Sequence, residues 1–273
     1  MKNSNKEKVL ELARSIQAGT TLSLDFISRR KYINHNLAFP EGLEAGFGEL
    51  FKQLPPGSIK VKTIRAFADG DYVFIHNDYE MFGKQVGIDI YRFENDLIVE
   101  HWDNLQKSGD AANPGGHTMI DGATEIADLD RTEANKTLVR RLFQNVLISH
   151  EPRQPQDYQT QIAGYFDADN YVEHNPNYAD GADGLEKRIA AMTAANAAVR
   201  YNSLHKVLGE GNFVLAVSEG VIGDEATAFY DLFRIENDKI VEHWDVIEAI
   251  PPMEKWKNNH GRFSFPEPSG VGL

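Results

Sequence analysis

The feature that most constrains this chain is an internal repeat. Residues 88–106 read IDIYRFENDLIVEHWDNLQ, and residues 230–248 read YDLFRIENDKIVEHWDVIE. Upstream of these, YINHN at residues 32–36 returns as YVEHN at residues 171–175. Motifs that recur in the same order predict one structural unit present twice.

The repeat predicts the domain organisation. We expect a first domain over residues 1–107, a linker rich in Gly, Asn and Asp over 108–129, a second domain over 130–252 and a tail over 253–273. The length of 273 residues suits two domains, because single cores stop growing near about 250–300 residues. The tail has no counterpart within the first copy. We interpret it as a surface arm, with these aromatic residues as docking side chains: Trp256, Phe263 and Phe265.

Each copy begins with helix-like periodicity and continues with strand-like patterns. Apolar residues follow a helical spacing over 9–16 and 138–148, and a second helical stretch is plainest over 184–198. Later segments break at hairpin signals such as DGD at 69–71 and END at 94–96. This order predicts an α+β fold of two tandem cone-shaped barrels, each a curved, mainly antiparallel sheet packed on N-terminal helices.

Composition excludes several classes of function. The chain has no cysteine, which leaves His, Asp and Glu as the groups available for chemistry. A net charge of -13 argues against nucleic-acid binding. No apolar run reaches the roughly 18 residues of a membrane span, and the N-terminal segment lacks a signal-peptide core. We therefore expect a cytoplasmic protein without nucleic-acid or membrane partners.

The repeated motifs resemble those of a known family. The Y-[IV]-x-H-N segment and the closing strands around E-N-x-x-I-V-E-H-W-D are similar to the SnoaL-like polyketide cyclase branch of the nuclear transport factor 2-like superfamily. The resemblance covers both copies. It implies a cone-shaped pocket and acid/base chemistry without a cofactor, although members of this superfamily also include proteins that only bind ligands or other proteins.

The resemblance also implies roles for particular aspartates. It places the acid/base group at Asp103 or Asp245, at the end of the last repeated strand. The partner position falls on Asp89 or Asp231, where the related enzymes often carry histidine. An aspartate at that position places two carboxylates opposite each other in each copy.

Strand alternation brings a histidine to the same face. Residues two apart on a strand share a face, so His101 lies beside Asp103, and Asp89 on the preceding strand approaches both. The second copy repeats this set with Asp231, His243 and Asp245. Two facing acids repel each other, so one pKa rises and that group holds a proton near neutrality. Enolisation needs such a pair of an acid and a base.

The upstream motif supplies further candidates. We expect His35 and His174 to enter the pockets from the helix side as proton donors or orienting groups. The residues expected to orient them or to bind a substrate carbonyl are Tyr32, Asn36, Tyr171 and Asn175. The loop at 173–181 is more polar than its first-copy equivalent, which favours the second pocket by a small margin.

Several alternatives stay open at this stage. The leading hypothesis is an isomerase, cyclase or aldol-type enzyme acting on a small hydrophobic carbonyl compound. The alternative is a non-catalytic ligand-binding or protein-interaction module of the same fold. The His and Asp composition also suits a divalent metal, but the motif spacing does not favour one, and we predict no metal and no cofactor. Outward strand residues, including Trp102 and Trp244, are expected to form an internal pseudo-dimer or a homo-oligomer.

Overall fold

The chain forms two five-stranded sheets with the same strand order. The computed structural model describes residues 4–20, 22–43, 57–109, 111–148, 160, 162–193 and 198–266. The first sheet contains β1 (Ile33–Asn34), β2 (Lys60–Asp69), β3 (Tyr72–Glu80), β4 (Lys84–Glu94) and β5 (Leu97–Lys107). The second contains β6 (Val172–Glu173), β7 (Val199–Glu210), β8 (Phe213–Ile222), β9 (Glu225–Glu236) and β10 (Lys239–Ala249).

The sheets are antiparallel except at one edge. Their orders are β1-β5-β4-β3-β2 and β6-β10-β9-β8-β7. The short strands β1 and β6 run parallel to β5 and β10. The predicted α+β class, with two tandem units, is therefore confirmed. The exact domain boundaries stay a prediction.

Helices cover one face of each sheet. They are α1 (Asn5–Ala18), α2 (Thr132–Leu142) and α3 (Gly181–Thr193), and α2 continues as a π-helical turn over Phe143–Leu147. Ser4 and Glu7 form a capping box that starts α1. The part of the first copy that would match α3 falls within residues 44–56, outside the described residues. No helix among the described residues is long and apolar enough to cross a membrane.

The predicted hairpins form at tight turns. Asn95 and Asp96 both have positive φ, at 49° and 67°, and Asn237 and Asp238 repeat this at 49° and 61°. Two central residues with positive φ characterise the turn that best matches the twist of paired strands, and Asn and Asp tolerate that conformation. The END signal at 94–96 therefore marks a hairpin, as predicted, and the same three residues at 236–238 mark a hairpin in the second sheet.

The faces opposite the helices pack against each other. Trp102 and Ile90 from the first sheet share one buried cluster with Trp244 and Leu232 from the second. Reciprocal hydrogen bonds border this contact. Leu105 N donates to Glu248 Oε2 at 2.8 Å, and Ile247 N donates to Gln106 Oε1 at 2.7 Å.

Ion pairs between the halves are also reciprocal. Lys6 Nζ lies 2.7 Å from Glu210 Oε2, and Lys136 Nζ lies 2.7 Å from Asp69 Oδ2. Each lysine comes from the first helix of one half, and each acid from the first hairpin of the other. The two sheets therefore meet by an approximately two-fold arrangement within one chain.

The segments that follow the sheets cross to the opposite half. Asn113, in the predicted linker, donates its amide to the carbonyl oxygens of Glu173 and Asn175. Asn258, in the tail, donates to the carbonyl oxygens of Asn36 and Phe39. The tail thus has a structural counterpart in the segment 108–129, which does more than connect the two copies.

Two of the three tail aromatics dock as predicted. Phe265 stacks on Trp102 with ring centroids 4.5 Å apart, and Phe263 stacks on His205 at 4.3 Å. Trp256 instead donates its indole N–H to the carbonyl oxygen of Pro251, just before the tail begins.

Asn104 offers a direct test of the contact between the sheets. Its amide is buried and donates to the carbonyl oxygens of Val246 at 2.6 Å and Ala228 at 3.1 Å. We expect Asn104→Ala to lower the free energy of unfolding by about 1–3 kcal/mol, because buried carbonyls lose a donor. Urea unfolding measures this. Asn145→Ala removes an exposed asparagine and should change stability by less than about 0.5 kcal/mol. Equal stabilities for the two variants would show that Asn104 does not stabilise the contact between the sheets.

Candidate active sites in the two cones

The first cone brings two aspartates and a histidine together. The β4–β5 register sets Asp89 opposite Asp103, and Tyr91 opposite His101. His101 Nε2 lies 3.1 Å from Asp89 Oδ1. All four side chains are largely buried and point to the side covered by helix α1. The predicted grouping of Asp89, His101 and Asp103 is therefore present.

Neutral side chains hold the two carboxylates. Asp89 Oδ2 accepts hydrogen bonds from the Tyr79 hydroxyl at 2.6 Å and from the Asn77 amide at 2.8 Å. Asp103 Oδ2 accepts from the Asn36 amide at 2.7 Å. Asp103 Oδ1 is buried and has no hydrogen-bond partner among the described residues. One carboxylate oxygen is thus left for another group.

Burial shifts the pKa values of this cluster. Burial raises the pKa of Asp103; the charge of His101 opposes the shift and the charge of Asp89 adds to it. Burial alone would lower the pKa of His101. Its hydrogen bond to Asp89 and the charges of both carboxylates outweigh that effect, so the pKa of His101 is raised. The cluster therefore favours a charged imidazole beside an aspartate that binds protons more readily than usual.

The cluster faces a small, mostly apolar cavity. Its volume is about 80 Å³. The polar lining residues are Tyr32, Asn34, Asp89, Tyr91, His101 and Asp103. Ile16, Phe39, Ile59, Met81 and Leu105 supply most of the apolar wall. A cavity with a few converging polar groups in an apolar wall is typical of a small-molecule site.

The second cone repeats the pair of aspartates. Asp231 lies opposite Asp245, and His243 Nε2 lies 3.0 Å from Asp231 Oδ1. The Asn175 amide contacts both oxygens of Asp245, at 3.0 and 2.8 Å. His243 Nδ1 lies 3.0 Å from Glu173 Oε1, at the position that Asn34 occupies in the first cone. This cone therefore holds three acids where the first holds two.

Arg188 from helix α3 fills the second cone. Its guanidinium lies 2.9 Å from Asp245 Oδ2, 3.5 Å from Asp231 Oδ1 and 3.3 Å from Glu173 Oε2. The remaining cavity is only about 20 Å³. The second cone, which the sequence favours by a small margin, therefore has an internal cation in the space beside its aspartates.

Charge sets the protonation of the second cone. Burial would raise the pKa of Glu173, but Arg188 and His243 hold it well below its usual range. Burial and Arg188 act to lower the pKa of His243, yet Glu173 and Asp231 outweigh them and raise it to about 9. Burial raises the pKa of Asp245, with Arg188 and His243 opposing. This is a network of fixed charges that satisfy one another.

Each cone also uses a tyrosine that the repeat did not reveal. Tyr79 on β3 pairs with Val61 on β2, whereas in the second sheet Tyr201 on β7 pairs with Gly220 on β8. The Tyr201 hydroxyl lies 3.2 Å from Asp231 Oδ1, as Tyr79 contacts the corresponding aspartate. The tyrosine has exchanged strands between the copies, so a comparison of the two sequences could not identify it.

His35 and His174 do not reach the carboxylate clusters, which corrects the prediction. His174 stacks on Trp244 at 4.6 Å and places Nε2 2.9 Å from Glu242 Oε1. His35 stacks on Trp102 at 4.5 Å. Both motifs form edge strands, and alternation turns Asn34 and Glu173 inward and the following histidines outward. The other four motif residues lie at the sites as expected: Tyr32, Asn36, Tyr171 and Asn175.

The carboxylate clusters also contain metal-ligand atoms. Asp89, His101 and Asp103 offer donor atoms within 4.8 Å of one another, and the second-cone set does the same. In the second cone, the Arg188 guanidinium already neutralises those acids. His101 and its two aspartates would be the residues available to an ion in the first.

The chain is similar in structure to NTF2-like and SnoaL-like proteins, as the sequence resemblance predicted. An NTF2-like protein of unknown function from Cytophaga hutchinsonii is 15% identical, and the match covers 39% of this chain and 93% of that one, with a TM-score of 0.35. A SnoaL-like family protein from Agrobacterium tumefaciens is 13% identical, covering 42% and 98%, with a TM-score of 0.34.

A third similar structure is a candidate ketosteroid isomerase from Kribbella flavida. It is 12% identical, and the match covers 52% of this chain and 96% of that one, with a TM-score of 0.35. No protein-family model and no curated protein matches the chain. Likeness at these identities and TM-scores says nothing about the reaction.

Removing Arg188 should expose the role of charge in the second cone. We expect Arg188→Met to lower the free energy of unfolding by about 3–5 kcal/mol at pH 7.5, because buried acids lose their cation. Burial raises the pKa of Asp245 and Arg188 opposes that shift, so removing Arg188 raises this pKa further. As pH falls, the unpaired Asp245 of the folded variant then binds a proton, which removes the cost of its buried charge. The deficit should therefore shrink at pH 5.

Urea unfolding at both pH values checks this prediction. Arg29→Met is the control, since Arg29 is exposed and its ion pair with the exposed Asp25 spans 3.5 Å. It should change stability by less than about 0.5 kcal/mol at either pH. A deficit for Arg188→Met that is the same at both pH values would rule out the charge network as its cause.

Proposed function

We propose that the first cone is a cofactor-free acid/base site for a small hydrophobic carbonyl compound, of the isomerase, cyclase or aldol type. The observation that carries this proposal is the unpartnered Asp103 Oδ1 beside an apolar cavity. A buried carboxylate oxygen without a donor is costly, and a substrate C–H or O–H supplies its partner. In the second cone, Asn175 and Arg188 contact the equivalent Asp245.

Asp103 is the proposed base. Its carboxylate takes the proton from the carbon next to the substrate carbonyl, and the C–H electron pair becomes an enolate. Burial raises the pKa of Asp103, which strengthens it as a base relative to an ordinary aspartate. Return of the proton to a different carbon gives isomerisation, whereas attack of the enolate on a second carbonyl gives cyclisation or aldol addition.

Two tyrosines are the proposed donors to the enolate oxygen. Tyr32 and Tyr91 line the same cavity as Asp103. Burial raises the pKa of both phenols, with the carboxylate charges adding to the shift, so they stay protonated. A neutral hydroxyl in an apolar cavity stabilises developing charge on the substrate oxygen.

His101 is proposed as a positioning residue. Nε2 is held by Asp89, and Nδ1 lies 3.3 Å from Asn34 Oδ1. Asn34 Oδ1 also accepts from Asn36 N, which fixes it as an acceptor. Both imidazole nitrogens are therefore engaged, and His101 acts on Asp103 through its charge.

The second half is proposed as the supporting partner in a pseudo-dimer. Its sheet buries the apolar face of the first sheet, and Glu248 and Glu210 contact backbone amides of the first half. The alternative function is binding of a small molecule without turnover. The cavity alone is compatible with catalysis and with binding. The unpartnered carboxylate oxygen of Asp103 favours catalysis.

Exchange of α-hydrogens with D2O tests the base directly. We use cyclohexanone as the probe and follow loss of its α-proton NMR signal. Wild type should accelerate exchange over buffer, and Asp103→Asn should lower that acceleration by about 10²–10⁴-fold, the usual contribution of a general base. Asp245→Asn is the matched control and should keep near-wild-type exchange.

Each outcome has a definite meaning, provided circular dichroism shows both variants folded. Equal exchange by Asp103→Asn and wild type would eliminate Asp103 as the base. Loss of exchange in Asp245→Asn alone would move the site to the second cone. Saturable binding of the ketone without accelerated exchange would favour the non-catalytic alternative.

The pH profile provides a second test. The base form of Asp103 is required, so the rate should fall as pH drops through the pKa of Asp103. Burial raises that pKa above the ordinary 3.8, so the acidic limb should lie at higher pH. The exchange rate measured between pH 4 and 8 should show it. A rate that is flat down to pH 4 in folded protein would exclude a raised pKa.

A further inference from the structure

We propose that His117, Asp121 and His174 bind a divalent transition-metal ion, which fastens the crossing segment 108–129 to the second half. Their ligand atoms lie within 4.8 Å of one another. His117 and Asp121 belong to the crossing segment, and His174 follows strand β6. This cluster lies outside the cones and plays no part in the proposed acid/base chemistry.

His174 is the central ligand, and its surroundings need a cation. The side chain is fully buried, and the ring is held flat on Trp244. Nε2 lies 2.9 Å from Glu242 Oε1, an acceptor, so Nε2 carries the hydrogen. Nδ1 then faces two more oxygens, Asp121 Oδ1 at 2.8 Å and the carbonyl oxygen of Thr118 at 2.8 Å. In a neutral ring the lone pair of Nδ1 would face the lone pairs of these two oxygens, which is unfavourable. A metal ion bound between Nδ1 and the oxygens removes this repulsion.

His117 repeats the same pattern. Its Nε2 lies 3.1 Å from Asp180 Oδ2, and its Nδ1 lies 3.5 Å from Asp121 Oδ2. The His117 and His174 rings meet edge to face with centroids 5.2 Å apart. Each histidine thus presents one nitrogen to Asp121 and the other to an outer carboxylate. Carboxylates that orient histidine ligands in this way are a recurrent feature of metal sites.

The donor set suits zinc among the common ions. Two imidazoles, one carboxylate and the Thr118 carbonyl oxygen provide mixed nitrogen and oxygen ligands, and imidazole favours transition metals over calcium or magnesium. Arg65 also fixes the loop that carries Asp121. Its guanidinium donates to the carbonyl oxygens of Ala123 at 2.6 Å and Asp121 at 2.5 Å.

The first half contains a matched control for this site. His35 Nδ1 lies 2.7 Å from the carbonyl oxygen of Gly261, and His260 lies 6.0 Å from His35 by ring centroids. Among the described residues, however, no third ligand groups with these two histidines. His260 instead lies 3.5 Å from Glu41. The tail therefore repeats the histidine pair without the aspartate.

Zinc titration of the full, tag-free chain tests the proposal. After EDTA treatment and dialysis, isothermal titration with Zn²⁺ at pH 7.5 should show one tight site per chain, and zinc should raise the melting temperature reversibly. His117→Ala and Asp121→Asn should each weaken binding at least about tenfold, and Asp180→Asn by about tenfold. His260→Ala should leave the affinity unchanged.

The variants at His117, Asp121, Asp180 and His260 replace partly or fully exposed side chains, so they should fold. Circular dichroism confirms this before titration. Undiminished zinc affinity in both His117→Ala and Asp121→Asn overturns the proposal. Loss of the tight site in Asp103→Asn, with its retention in His117→Ala, places the ion in the first cone and also overturns it. Absence of saturable zinc binding by the wild-type chain also overturns the proposal.

Discussion

The back-to-back packing of the two sheets is the contact on which the rest of the structure depends. It buries Trp102 and Trp244 completely and commits one face of each sheet to the other. Because side chains alternate along a strand, the remaining face must carry the aspartates and histidines inward, and helices must close over it. The chemistry of each cone is therefore a consequence of which face the tryptophans occupy.

The two cones hold the same buried acids in opposite ways. In the first, neutral donors such as Asn36 and Tyr79 contact the carboxylates and leave one oxygen of Asp103 without a partner. In the second, Arg188 supplies a full charge to the acids around it. Breaking a buried charge pair is expensive, so the second arrangement is stable but closed. The first keeps an unsatisfied group, which is a feature of binding and catalytic sites.

Sequence patterns predicted the parts of the fold that depend on local order. The repeat gave two sheets of one topology, and alternation gave the grouping of Asp89, His101 and Asp103. The prediction that His174 points into the cone was wrong, because the two-residue parallel edge strand before it is too short to show a periodic pattern in the sequence. Arg188 was missed because its contacts to Asp231 and Asp245 join distant parts of the chain.

Cavity size also escaped prediction, for a steric reason. On strand β4 the residue two before Asp89 is Gly87, whereas the residue two before Asp231 is Phe229, which packs on Tyr201 at 4.6 Å. A Cβ at Gly87 would lie 2.7 Å from both Leu105 and Tyr79, so the first cone has no space for a side chain there. The two copies thus fill the interiors of their cones with different residues, and only the packed structure shows how large a cavity remains in each.

The two crossing segments, 108–129 and the tail, differ as the two cones do: the contacts of the second half are the more polar. Trp244 donates its indole N–H to the carbonyl oxygen of Asp121, whereas Trp102 Nε1 has no hydrogen-bond partner in the described part of the chain and lies under Phe265. The second half is therefore held by polar contacts both inside its cone and under its crossing segment. Polar networks that are fully satisfied rigidify a structure. The second half gives the first sheet the apolar surface on which it packs, and the opposite face of the first sheet carries Asp89 and Asp103.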